Sequence, residues 1–285
     1  MMPLPPRPYR TTSYGLPTSP LAYAQRIALA DGARLATFVY GPEGKALADL
    51  LGATPVLALH GNGGSHAGFA AVIERLVAAG CTVVAFDARG QGQSTRGTLA
   101  LTYEQFADDA ICVLDTLGVE RAHVLGHSDG GIEALLLARD HADRVASIVA
   151  GGANLTPEGV IDEWDTSASA EAGRRWATWV LDSKLPPTID PSLLPSAQNA
   201  SRDAELLQLM LDEPHIDPAT LGGISCPSCV LVGEHDCITR DETLAIADAI
   251  EGARLVTVPG VGHGLPRNAP DSVALQVLTN MLLCS

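Results

Sequence analysis

Positive charge is scarce in this chain. Its 18 lysines and arginines stand against 33 acidic residues, a net charge of −15 at pH 7. Binding to a phosphate backbone needs clustered Lys and Arg, so nucleic acid and anionic membranes are not expected partners. No apolar run reaches the roughly 18 residues of a membrane span. The first 20 residues, MMPLPPRPYRTTSYGLPTSP, are broken by prolines and hold no apolar core of the kind a signal peptide needs. A loosely docked tail over 1–20 and a cytoplasmic protein are therefore expected. A disulfide framework is missing too: the six cysteines (Cys81, Cys112, Cys226, Cys229, Cys237, Cys284) are scattered over 285 residues. The C-x-x-C of Cys226 and Cys229 has neither a second pair for zinc nor a helix start for redox chemistry. The eight histidines show no metal-ligand spacing, so neither a metal nor a cofactor is expected.

What is present is enough for a large core. Hydrophobic residues make up 46% and charged residues 18% of the chain, which excludes disorder, and a chain of this length buries roughly three quarters of its unfolded surface. Short β-rich runs occur at TPVLALHG, CTVVAFDARG, RAHVLGHS, RVASIVAGG, CVLVGEHD and ARLVTVPG. Helical patterns such as AGFAAVIERLVAAG, TYEQFADDAICVLDTLG and RDETLAIADAIEG lie between them, the last two with start and stop signals of their own. Apolar strands alternating with amphipathic helices predict an α/β fold with a mostly parallel sheet covered on both faces. Two further segments around Asp31-Gly32 predict an amino-terminal antiparallel hairpin, giving eight strands.

The alternation fails between about Asn154 and Leu221, where prolines and helical stretches replace β runs. A structureless loop of that length is improbable in a compact domain. The expected organisation is a core of 21–153 with 222–285, carrying a helical insertion over 154–221 that holds all three tryptophans, Trp164, Trp176 and Trp179. These would anchor the insertion, contact substrate, or do both.

The segment VLGHSDGGIEALLLA (124–138) places a serine between glycines where a strand gives way to a helix. A single tight turn there strains its middle residue, and Gly126 and Gly130 would remove side chains from the crowded positions on either side. Ser128 would then stand at the carboxyl edge of the sheet, where open α/β sheets bind ligands. A serine hydroxyl needs a base, and the base needs a partner that fixes its tautomer. His263, in VPGVGHGLP just past the last strand, is the candidate base. Asp236, in the loop after CVLVGEH, is the candidate acid, with Glu234 and Asp241 as alternatives. Charge developing on an attacked carbonyl would be met by the backbone N–H groups of Asn62 (Gly63 as alternate), in LHGNGGSH, and of Asp129. His60 and His127 would brace loops, and the remaining histidines would be structural or on the surface.

Taken together, LHGNGGS, AFDARGQGQS, GHSDGG, GEHD and GVGH resemble, in order and spacing, the capped serine hydrolases of the α/β-hydrolase fold, over about Thr54 to Leu283. The resemblance implies structural roles for Asp87, Arg89, Gly90, Gly92 and Ser94. G-x-S-D-G-G is also similar to valacyclovir-hydrolase-like esterases, in which the acid after the serine holds a substrate ammonium; for Asp129 the plain alternative is a favourable charge in the first turn of a helix. Candidate substrate contacts are Asp129, Gly63 and the tryptophans. The expected activity is ester hydrolysis of a small-molecule substrate by a monomer or homodimer, falling as pH drops through about 6.5 where the base protonates. Acyl transfer, haloperoxidase-like chemistry and C–C bond hydrolysis would use the same residues, and a ligand receptor on this fold would not turn substrate over.

Overall fold

The computed structural model describes residues 15–162, 165–182 and 196–284. Of the expected tail, 1–14 lies outside this range. The strands are β1 (Leu21–Ala28), β2 (Arg34–Tyr40), β3 (Val56–Leu59), β4 (Val83–Phe86), β5 (Ala122–His127), β6 (Val145–Gly151), β7 (Ser228–His235) and β8 (Arg254–Gly262). The helices are α1 (Leu47–Leu51), α2 (Ala70–Ala78), α3 (Tyr103–Leu117), α4 (Asp129–Asp140), α5 (Thr166–Asp182), α6 (Ala197–Asp212), α7 (Arg240–Ala249), α8 (Leu265–Asn268) and α9 (Pro270–Leu283). Among the described residues no helix is long and apolar enough to cross a membrane.

The eight strands form one sheet in the order β1-β2-β4-β3-β5-β6-β7-β8. β2 runs antiparallel to both of its neighbours, and every pair from β4 to β8 is parallel. The hairpin turns at Gly32, whose φ of +88° suits a residue without Cβ. Thr102 starts α3 by accepting from the Gln105 amide at 3.0 Å, and Gly118 ends it in the left-handed region. Alternate strand residues face two layers. Val56, Ala58, Val83, Ala85 and Leu125 pack with Ile73 and Leu76 of α2 and Val273 and Val277 of α9. Their neighbours Leu57, Leu59, Val84, Phe86 and Val124 are equally buried and point to the opposite layer, where α3 packs on α4 and α4 on β3, β5 and β6.

Strand order reverses direction at β3, which lies between β4 and β5. The carboxyl ends of β3 and β5 therefore open a crevice, the usual ligand position in such sheets. Beside it, AFDARGQGQS is a braced loop. Asp87 accepts from the amide and the Nδ1–H of His66, both at 2.8 Å, and from the Gln93 amide at 2.7 Å. Arg89 makes a two-pronged bond to Asp109, with both contacts at 2.7 Å, and a third bond to Asp31 at 2.8 Å.

The chain divides into two compact units, one of Tyr14–Ile161 with Pro214–Ser285 and one that includes Asp162–Glu213. The helical unit is therefore shorter than the expected 154–221, because the flanks are bonded to the sheet domain. The Leu155 amide and the Thr156 hydroxyl donate to Glu242, the Ile161 amide to the Cys237 carbonyl at 2.7 Å, and the Ile216 amide to the Leu155 carbonyl at 2.9 Å. Within the helical unit α5 packs on α6. Trp176 is fully buried against Ala177 and Ala200, and the Trp179 ring lies 5.3 Å from it. Trp176 thus fills the core of the helix pair, and Trp164 lies outside the described residues.

Candidate active site

Ser128 joins β5 to α4 with φ of 58° and ψ of −121°, a left-handed conformation that side chains rarely adopt. Such strain persists only where the surroundings enforce it. Here the Ser128 amide donates to the Gly151 carbonyl of β6 at 2.8 Å, and its own carbonyl accepts from Gly131 at 2.7 Å and Ile132 at 3.1 Å. The flanking glycines are obligatory. A Cβ on Gly126 would lie 1.8 Å from the Gly130 carbonyl oxygen, and one on Gly130 would lie 2.1 Å from that of Leu59. Gly126→Ala should therefore destabilise the fold by about 3 kcal/mol, the upper end of overpacking costs. A melting temperature unchanged from wild type would contradict this packing.

The segment after β8 brings His263 over the turn, with Nε2 2.9 Å from Ser128 Oγ. Its other face meets Asp236 from the β7–α7 loop, Nδ1 to Oδ1 at 2.7 Å. A carboxylate can only accept, so Nδ1 carries the proton and Nε2 presents its lone pair to the serine. Asp236 is itself held by the amides of Ile238 at 3.1 Å and Gly233 at 3.4 Å. Burial works against charge on both groups. Their mutual hydrogen bond and attraction outweigh it, holding the Asp236 carboxyl below its ordinary range and lifting His263 above the ordinary 6.5, with Cys237 adding to the rise. Glu234 is engaged elsewhere, accepting from the Gly260 amide at 2.7 Å. Asp241 lies in the first turn of α7.

Asn62 and Gly63 occupy the middle of a turn closed by the Gly64 amide on the Gly61 carbonyl at 3.0 Å. Gly63, at φ +67°, supplies the left-handed position of that turn, and it does not border the cavity described below, whereas Asn62 does. Gly61 lets the loop approach the serine, since a Cβ there would lie 2.8 Å from that of Ser128. The Asp129 carboxyl points inward and is 3% exposed as a residue. Its Oδ1 accepts from the Tyr103 hydroxyl at 3.2 Å. Burial pushes this carboxyl up to about 6, against the opposing pull of Asn62 and Tyr103. One turn further along α4, Glu133 is also buried and raised, by burial and by the charges of Asp129 and Asp109.

His60 and His127 brace loops as expected. His60 takes the Ala88 amide on Nε2 at 2.9 Å and donates from Nδ1 to the Gly61 carbonyl at 2.8 Å. His127 donates from Nε2 to the His263 carbonyl at 2.6 Å, and burial together with the nearby His263 lowers it to about 3. A cavity of about 320 Å³ opens above Ser128 and His263, walled by Asn62 and Ser65 on one side and by Pro266, Arg267 and Asn268 of α8 on the other. The sequence carried no signal for the α8 wall, because a four-residue helix has no periodicity to read. A more open groove of about 640 Å³ near Gly118, Arg121 and Arg144 lies at the amino edge of the parallel strands and contains none of these residues.

Residues 54–190 match the family described as alpha/beta hydrolase fold. The chain is 30% identical over 219 residues to a candidate carbamate hydrolase, RutD, of Caulobacter sp. (strain K31), covering 69% of this chain and 79% of that protein. It is 29% identical over 246 residues to the rhodomycin D methylesterase DauP of Streptomyces sp. (strain C5), covering 72% and 83%. Among solved structures it is similar to a hydrolase from Pseudomonas aeruginosa PA01, with TM-score 0.66, 25% identity and coverage of 90% and 98%. It also shares its fold with the enol-lactonase of Burkholderia xenovorans LB400, with TM-score 0.69, 22% identity and coverage of 90% and 100%. With this topology, this turn and these relatives, the chain belongs to the α/β-hydrolase family.

Proposed function

We propose that the protein is a serine hydrolase that cleaves an ester or related acyl bond of a small molecule through an acyl-enzyme on Ser128. The observation that carries this reading is the unbroken relay from Ser128 Oγ to His263 Nε2 at 2.9 Å and from His263 Nδ1 to Asp236 at 2.7 Å. His263 takes the hydroxyl proton as Oγ bonds to the acyl carbon, and Asp236 stabilises the resulting imidazolium. The carbonyl oxygen becomes an oxyanion facing the N–H groups of Asn62 and Asp129. On collapse the bond to the leaving group breaks, and His263 returns the proton to it. A water, deprotonated by the same imidazole, then attacks the acyl-enzyme and releases the acid. The cavity of about 320 Å³ suits a small substrate, and the names of the relatives, a carbamate hydrolase and a methylesterase, both denote acyl-carbon cleavage.

A panel of p-nitrophenyl, methyl and aminoacyl esters of graded size, run on the protein and on Ser128→Ala, tests the reading. Turnover that survives the substitution unchanged would end it. The inward carboxyl of Asp129 supports a positioning role towards Asn62 rather than a grip on a substrate ammonium. Asp129→Ala is accordingly expected to lower kcat/KM on aminoacyl and plain acyl esters together, by about 10–10²-fold. Loss confined to aminoacyl esters would instead favour the ammonium grip.

A further inference from the structure

The catalytic reading uses Asp236 and His263 and leaves the Cys237 thiol beside them only its pull on the His263 imidazole. Asp236, Cys237 and His263 offer one carboxylate, one sulfur and one imidazole nitrogen, all within 4.8 Å of one another; the His263 side chain is partly exposed and that of Asp236 is buried beneath it. We propose that these three side chains form a site for a thiophilic divalent cation of the zinc class, and that filling it switches the base off. The second half of the proposal rests on the serine-hydrolase reading; the first half does not.

The donor set is right for such an ion. Thiolate and imidazole select zinc-like cations over magnesium or calcium, which prefer all-oxygen shells. Zinc bonds of about 2.3 Å to sulfur and about 2.0–2.2 Å to nitrogen and oxygen place tetrahedral ligands roughly 3.3–3.6 Å apart. The Nδ1–Oδ1 pair, now at 2.7 Å, must open by about half an ångström, and a pair at the 4.8 Å limit would have to close by about one. The loop beneath is already fixed: the Cys237 carbonyl accepts from Ile161 at 2.7 Å and the Asp236 carboxylate from Ile238 at 3.1 Å. Three protein ligands leave the fourth position to water.

The proton balance explains the inhibition. On binding, the Cys237 thiol gives its proton to solvent, so the ion meets one thiolate, one carboxylate and one neutral imidazole. Nδ1, the ring nitrogen turned towards Asp236, exchanges its proton for the ion, and the ring proton moves to Nε2. Nε2 then has no lone pair with which to accept the Ser128 proton, and Asp236 no longer orients the ring by a hydrogen bond.

Two readouts on the full chain test this, one of them independent of activity. In the first, cadmium is titrated into wild type and Cys237→Ala while thiolate-to-metal charge-transfer absorbance is followed; comparing the two subtracts any signal from the other five cysteines. In the second, zinc inhibition of ester cleavage is measured against each variant's own metal-free rate, with a chelator added to reverse it. Wild type should show an extra equivalent of bound cadmium, and its half-inhibitory zinc concentration should be at least roughly tenfold lower than that of Cys237→Ala, with Cys237→Ser behaving like the alanine variant. Equal absorbance and equal inhibition in wild type and variant would overturn the proposal. If no ester is turned over at all, the catalytic reading fails, and the cadmium titration still decides the site: a signal lost with Cys237 keeps it, and the same signal in both proteins removes it.

Discussion

Ser128→Ala should lower kcat by about 10⁴–10⁶-fold on the best ester of the panel, with KM little changed. In the proposed mechanism the effect is large because the alcohol, the imidazole and the carboxylate act as one unit. His263 has no proton to take without the hydroxyl, and the hydroxyl at neutral pH is a weak nucleophile without His263. For the same reason His263→Ala should cost about as much, and the double variant should be no slower than either single one. Residual hydrolysis would come from binding and from the proposed oxyanion donors, which neither substitution touches. Multiplying losses in the double variant would contradict a shared step. Melting temperatures close to wild type would separate lost chemistry from lost structure.

The second large effect belongs to Asp236. Asp236→Asn keeps the shape of the site but lets the side chain donate to Nδ1, which favours the tautomer with its proton on Nε2, and kcat should fall about 10⁴-fold. The pH profile carries the sign of the interaction. Only the neutral imidazole accepts a proton, so kcat/KM falls as pH drops through the pKa of the free enzyme's base. Asp236 stabilises the imidazolium and lifts that pKa above the ordinary 6.5. The acid limb of wild type should therefore have its midpoint above 6.5, and in Asp236→Asn the midpoint should move down, because the stabilising charge is gone. A wild-type midpoint below 6.5, or a flat profile between about pH 5 and 8, would count against His263 as the base.

Much of this geometry could be read from the sequence, because the signals were local. Six apolar runs and one hairpin gave all eight strands, and glycines two positions either side of a serine marked a turn that only small residues can fill. His263 and Asp236 were recognisable by their place just past strands on the same sheet edge. What was not legible depends on contacts remote in the chain. The segments at 154–161 and 214–221 look like the insertion they flank, yet Leu155 and Thr156 are bonded to Glu242, more than eighty positions away. The direction of the Asp129 carboxyl is set by Tyr103, on another helix. Whether Trp176 anchors the insertion or also touches substrate is not readable from its residue type; the structure sets it against Ala200 of α6, in the core of the helix pair. Cys237 looked like one of several scattered cysteines, and only the fold of the β7–α7 loop and the segment after β8 sets it beside His263.

A reactive alcohol at residue 128 is the centre of the proposed chemistry, and its most direct measurement is the site of covalent capture. The protein is treated with a fluorophosphonate, its intact mass is recorded, and the modified peptide is sequenced by mass spectrometry. One adduct per chain on Ser128, absent from Ser128→Ala and formed orders of magnitude more slowly in His263→Ala, is the predicted result. No adduct, or an adduct that forms equally fast when His263 is removed, would contradict it.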